Sequence, residues 1–119
     1  TMSGERLQVL SSSLIYAKLI YYLHCHYNEA VTLEVAAERF HYPSDYIQRI
    51  LKEQGTSFSK LLGEIRIYHA RRLLLETDLP QDAVSRESGF ASPETFYRAF
   101  RRQIGCSPAE YRRHGMKEN

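Results

Sequence analysis

The chain has no tryptophan, only two cysteines, and few of the residues that interrupt regular structure, with six glycines and four prolines among 119 residues. Each scarcity excludes something. Cys25 and Cys106 lie far apart with no partner spacing, which argues against a disulfide scaffold and a structural metal site. No apolar run approaches the roughly 18–20 residues a membrane span needs. A basic-plus-apolar signal segment near the start is also missing. The expectation is a soluble, cytoplasmic protein with no membrane partner. Strand-like alternation and β-branched clusters are absent too, so nothing predicts a sheet.

A chain this long supports one domain, or two small sub-modules, without a large enclosed active-site cavity. It contains no glycine-rich phosphate loop, metalloprotease helix or nucleophile elbow. His24 and His26 are two apart, so on a helix they do not face one another, and no second cluster completes a ligand set. The reading is a protein without enzymatic activity, cofactor or metal.

What the sequence does have is helical periodicity, and it predicts seven helices. The first spans about Leu14–Asn28, with Ile15, Leu19, Tyr22, Leu23 and Tyr27 along one stripe. The second follows Thr32, an N-cap residue, and ends near Phe40. The third runs from Ser44 to just before Gly55. The fourth is long, about Phe58–Glu76, with Leu62, Ile65, His69 and Leu73 as its apolar stripe; His69 is read as a packed residue. Pro80 opens the fifth, which stops at Gly89, and Ser92-Pro93 opens the sixth, which ends near Gly105. The seventh is announced by the capping box Ser107-Pro108-Ala109-Glu110.

An internal repeat lies within this pattern. Residues 34–52, "EVAAERFHYPSDYIQRILK", and residues 82–101, "DAVSRESGFASPETFYRAFR", share a short helix, a tight turn and a second helix. Ile47, Arg49, Leu51 and Lys52 match Phe96, Arg98, Phe100 and Arg101. That plan is the helix-turn-helix signature. His41 stands where the second unit has Gly89, and histidine tolerates the left-handed backbone better than most non-glycine residues.

The charge distribution adds a partner class. Residues 1–59 carry five basic and six acidic residues, a balance of −1, whereas residues 60–119 carry eleven and eight, a balance of +3. On the sixth helix Phe96, Ala99, Phe100 and Gln103 share one side, while Glu94, Tyr97, Arg98 and Arg101 lie opposite. A helix fits the major groove of DNA, where arginine takes guanine in two hydrogen bonds and glutamate accepts from cytosine. One amphipathic helix with outward arginines is ordinarily just a solvated surface. Two units with arginine at the equivalent turn point instead to duplex DNA. The alternative is a helical protein-interaction module whose arginine-rich face binds an acidic partner.

The segment "GFASPETFYRAFRRQIGCSPAEYR" resembles the C-terminal DNA-binding domain of the AraC/XylS family of bacterial transcription regulators. "EIRIYHARRLLLETD" resembles that family's linker helix, with Arg66, Ala70, Leu73 and Leu74 at the expected places, and the likeness extends over about Leu14 to Arg113. It implies an all-α fold in which two helix-turn-helix subdomains are joined by a long linker helix. The corresponding segments are a tail or linker over 1–13, a first subdomain over 14–55, the linker helix over 56–78, and a second subdomain with a short C-terminal helix over 79–119.

The resemblance further implies sequence-specific binding of double-stranded promoter DNA, with the third and sixth helices in successive major-groove segments. Its base-reading positions fall on Ser44, Asp45, Gln48 and Arg49 in the first unit, and on Pro93, Glu94, Thr95, Tyr97 and Arg98 in the second. Lys52, Arg101, Arg102 and Arg112 are read as clamps on the DNA backbone, although packing is the expectation for Tyr97 and Tyr111. Members usually activate transcription, so RNA polymerase is an implied partner. Thr1 before Met2 suggests a fragment whose missing N-terminal part supplies dimerisation and ligand response. The chain departs from the family in having Ala36-Ala37 and Val84-Ser85 where a bulky aliphatic precedes alanine, Pro43-Ser44 for the usual serine-proline, and acidic Asp45 at a reading position. Some related domains accompany alkyl-acceptor repair proteins, but neither cysteine here has an activating cluster.

Overall fold

The computed structural model describes residues 2–118, with side chains described for residues 10–115. Seven helices and no strand occur among the described residues: α1 (Met2–His26), α2 (Leu33–Arg39), α3 (Ser44–Glu53), α4 (Phe58–Glu76), α5 (Gln81–Glu87), α6 (Pro93–Ile104) and α7 (Pro108–Glu118). One boundary differs from expectation. The segment expected as a tail is helical from Met2, so α1 does not begin at Leu14. Ser11, Ser12 and Ser13 do not end the helix: each serine costs it only about 0.5 kcal/mol relative to alanine, and no proline interrupts the run.

Two compact units form. The first comprises α1 and Val31–Leu61; the second comprises Tyr27–Ala30 and the chain from Leu62 onward. In the first unit, Ile15, Leu19 and Leu23 of α1 are buried, as are Ala36 and Ala37 of α2 and Ile47, Ile50 and Leu51 of α3. The i, i+4 spacing on α1 and the i, i+3, i+4 spacing on α3 explain why these particular residues share a core. Tyr22 closes it by packing edge-on against Phe40, ring centroids 5.6 Å apart.

The second unit is built around Ile67, Ala70 and Leu74 of α4, Val84 of α5, and Phe96, Ala99 and Phe100 of α6. Phe90, Phe96, Phe100 and Tyr111 form a chain of tilted and edge-on rings with centroids 5.4–5.7 Å apart. Such contacts add to the area these rings remove from water. Gln103, expected on the anchoring side of α6, is exposed, and Ile104 packs against the core at that end. His69 is buried as expected, with its ring stacked on Tyr27 at 3.7 Å.

Both short helices, α2 and α5, end the same way. The His41 N–H donates to the Glu38 carbonyl and the Tyr42 N–H to the Ala37 carbonyl, each at 3.0 Å. In the second unit the Gly89 N–H donates to Arg86 at 3.0 Å and the Phe90 N–H to Ser85 at 3.1 Å. This paired closure of a helix end requires a left-handed residue at its centre, and His41 (φ 61°) and Gly89 (φ 92°) supply it.

The two positions differ in their surroundings. His41 is exposed. A Cβ on Gly89 would strike the Tyr27 carbonyl oxygen and lie 2.9 Å from Arg66 Nε. Arg66 occupies that space because its Nε donates to the Tyr27 carbonyl at 2.8 Å and its Nη2 to the Glu29 carbonyl at 3.1 Å. Burial pulls the Arg66 pKa down from arginine's usual value, but arginine stays charged, and the two carbonyls partly replace its lost hydration.

Gly89→Ala should therefore destabilise the protein by about 2–3 kcal/mol, from backbone strain and the collision together. His41→Gly, which relieves strain but loosens the unfolded chain, should change stability by less than about 1 kcal/mol. Thermal unfolding of the two variants checks this; an unchanged melting temperature for Gly89→Ala would contradict the account.

Candidate nucleic-acid interface

The second helix of each helix-turn-helix pair, α3 or α6, buries one side and leaves the other to solvent. In α3, Pro43 is the N-cap residue, its extended backbone (φ −63°, ψ 146°) compatible with the proline ring, and Ser44 is the first helical residue. With Ile47, Ile50 and Leu51 facing the core, Asp45, Gln48, Arg49 and Lys52 are exposed and Ser44 is half-buried. The Arg49 guanidinium lies over the ring of Tyr46, 5.1 Å from its centroid. Tyr46 in turn packs on Tyr42, centroids 5.1 Å apart. Tyr42, Pro43, Asp45, Tyr46 and Arg49 line an open groove of about 440 Å³.

In α6, Ser92 caps the N-terminus by accepting from the Thr95 N–H at 3.2 Å, and Pro93 takes the first helical position, where no backbone donor is needed. Gly105 closes the other end in the left-handed conformation. Phe96, Ala99 and Phe100 are buried. Pro93, Glu94, Thr95, Tyr97, Arg98, Arg101 and Arg102 are exposed. Packing does not take up Tyr97, which is 42% exposed; its hydroxyl lies 3.5 Å from Arg101 Nη1. Tyr111, by contrast, packs against the core as expected.

Charge is graded along both helices. Asp45 and Glu94 lie in the first turns, and Lys52, Arg101 and Arg102 in the last. Each sign complements the helix dipole at its own end, worth about 0.3–1 kcal/mol per exposed charge at low salt. Asp45 and Glu94, both expected at reading positions, thus have a stabilising role apart from any base.

Arg112 differs from the expectation. It is half-buried; its Nε donates to the Leu74 carbonyl at 2.9 Å and its Nη2 to the Thr77 carbonyl at 3.2 Å. These are carbonyls at the end of α4, which the helix itself leaves unpaired. Arg112 is thus a cap that ties α7 to α4, with its fork turned into the fold. Nearby, Arg71 Nε donates to the Tyr111 hydroxyl at 3.0 Å. At the start of α7, the Ser107 hydroxyl donates to the Glu110 carboxylate at 3.0 Å and holds its pKa below the usual range. Among the described residues no group of three or more His, Cys, Asp or Glu is placed to hold a metal, and no helix is long and apolar enough to cross a membrane.

Sequence reasoning missed Tyr42 and Tyr46, and it placed Arg66 in the linker helix without its partners. The spacing Tyr46-x-x-Arg49 on a helix was an available signal, since residues three apart are neighbours on its surface. The carbonyl partners of Arg66 and Arg112 gave none, because every residue carries a carbonyl.

Two substitutions separate the arginine roles. Arg112→Gln should lower stability by about 1–3 kcal/mol through the carbonyls it strands. Arg101→Gln should lower stability by no more than the helix-end charge it removes, under about 1 kcal/mol, while weakening DNA binding evenly across sequences and lowering the slope of log K against log salt by about one. Calorimetry and binding titrations at several salt concentrations check both.

A helix-turn-helix domain family matches residues 36–114. The chain is 31% identical to the HTH-type transcriptional regulator YijO of Escherichia coli K12, over 92% of this chain and 40% of that protein. It is 36% identical to the HTH-type transcriptional activator RhaS of Escherichia fergusonii, over 79% of this chain and 34% of that one. It thus spans less than half the length of these curated relatives. Among solved structures it is similar to the C-terminal domain of AraT, a response regulator from Geobacillus stearothermophilus, with TM-score 0.78 and 34% identity over 84% of each chain. It is also similar to the DNA-binding domain of the global transcriptional factor AdpA in complex with a target DNA, with TM-score 0.74 and 29% identity over 91% of this chain and 95% of that one. The all-α fold with two helix-turn-helix units, the matched residues and these relatives agree, and the chain belongs to the AraC-type helix-turn-helix family of DNA-binding bacterial transcription regulators.

Proposed function

We propose that α3 and α6 are the two recognition helices of a sequence-specific regulator, each reading one major-groove segment of promoter DNA. One repeated arrangement carries this reading: in both units the helix after a left-handed turn buries its apolar side and leaves Arg49 or Arg98 exposed. Arg49 and Arg98 are the guanine readers, Gln48 suits adenine, and Thr95 suits a thymine methyl. Ser44, Asp45, Pro93, Glu94 and Tyr97 complete the reading surface. Lys52, Arg101 and Arg102 hold phosphates and fix register; Arg112 no longer belongs to this group.

Cytoplasmic activation of transcription through RNA polymerase is the regulatory outcome that fits best, supported by the activator named among the relatives. Selection of bound duplexes from a random pool tests the reading, with Arg98→Ala run beside the parent protein. A bipartite site is expected, its parts about one helical turn or 10 bp apart. Arg98→Ala should relax preference in one part only, costing about fivefold or more against the wrong base there. No enrichment, with weak binding to every duplex even at low salt, would favour an acidic protein partner instead.

A further inference from the structure

The groove beside α3 contains a feature that base reading alone does not require. Arg49 is exposed, and an exposed arginine samples many rotamers, each of which must be given up when its fork meets a base. Here the guanidinium carbon instead sits 5.1 Å from the centroid of Tyr46, held by the attraction between a cation and the face of an aromatic ring. Tyr46 is half-buried and supported by Tyr42. Tyr42 directly follows His41, and its N–H closes the left-handed turn onto Ala37. A continuous series therefore runs from the backbone turn through two rings to the arginine.

We infer that Tyr46 is a positioning residue for Arg49, pre-orienting its guanidinium so that the first unit discriminates guanine more strongly than an unstacked arginine would. The inference rests on the proposed reading of bases by Arg49. The second unit lacks this device: the residue matching Tyr46 is Thr95, whose hydroxyl is 2.9 Å from that of Ser92, and no ring lies under Arg98 among the described residues. The two units thus present their arginines differently, and only the first depends on an aromatic support.

Competition binding on the selected duplex, with each base pair of the Arg49-dependent part substituted in turn, tests this in the parent and in Tyr46→Phe, Tyr46→Leu and Arg49→Ala. A cation over a ring at an exposed site corresponds to about a two- to fivefold effect. Tyr46→Leu should lower discrimination by that factor at the same base pair that Arg49→Ala affects, and leave the other part of the site untouched. Tyr46→Phe, which keeps the ring, should restore the parent value. Adding Tyr46→Leu to Arg49→Ala should cost nothing further. A uniform loss of affinity across all base pairs, or a lowered melting temperature with discrimination unchanged, would reduce Tyr46 to a packing residue and overturn the inference. Loss at a different base pair would overturn it too, by making Tyr46 a reader in its own right. If Arg49→Ala alters no preference, the reading by Arg49 has failed and the positioning role falls with it. Should Tyr46→Leu not fold, Tyr46→Met removes the ring with a more adaptable side chain.

Discussion

A left-handed residue at the end of α2 and another at the end of α5 set the start of α3 and of α6. The two hydrogen bonds on either side of His41 and Gly89 turn the chain sharply, and only after that turn can α3 or α6 present its apolar side to the core. Because helix side chains are spaced by a fixed angle, committing Ile47, Ile50 and Leu51 to one side commits Asp45, Gln48, Arg49 and Lys52 to another. The same holds for Phe96, Ala99 and Phe100 against Glu94, Tyr97, Arg98 and Arg101. Core packing and the exposed polar side of each helix are two consequences of one backbone constraint.

The units meet that constraint with different residues because their surroundings differ. At Gly89 the space a side chain would need is taken by the Tyr27 carbonyl and by Arg66, whose donors hold the 27–30 segment to α4 within the second unit. Glycine is required there sterically as well as conformationally. At His41 the side chain points to solvent, and histidine bears the modest strain. The strained position then places Tyr42 beside Tyr46.

Much of this was legible in the sequence. The caps at Thr32, Ser92 and Ser107 and the stops at Gly55, Gly89 and Gly105 located the helices, since each rests on local backbone chemistry. The repeat exposed the paired arrangement and identified His41 as the left-handed residue before any coordinates. Three things were not legible. The start of α1 at Met2 was not, because the serines before Leu14 weaken a helix only slightly and their context decides. Arg112 looked like a phosphate clamp because its partners are backbone carbonyls, which leave no mark in a sequence. The exposure of Tyr97 was not settled, because its place opposite Phe96 on the helix competed with an expectation of packing, and tyrosine is intermediate in how often it is buried.

Methylation interference on the selected duplex most directly tests whether both helices read bases from the major groove. Methyl groups on guanine N7 lie in that groove, remove the N7 acceptor and so break the paired hydrogen bonds that arginine makes to N7 and O6. Interference should occur in two separate parts of the site, one losing it with Arg49→Ala and the other with Arg98→Ala. Interference that survives both substitutions, or that arises only from adenine methylated in the minor groove, would contradict the account.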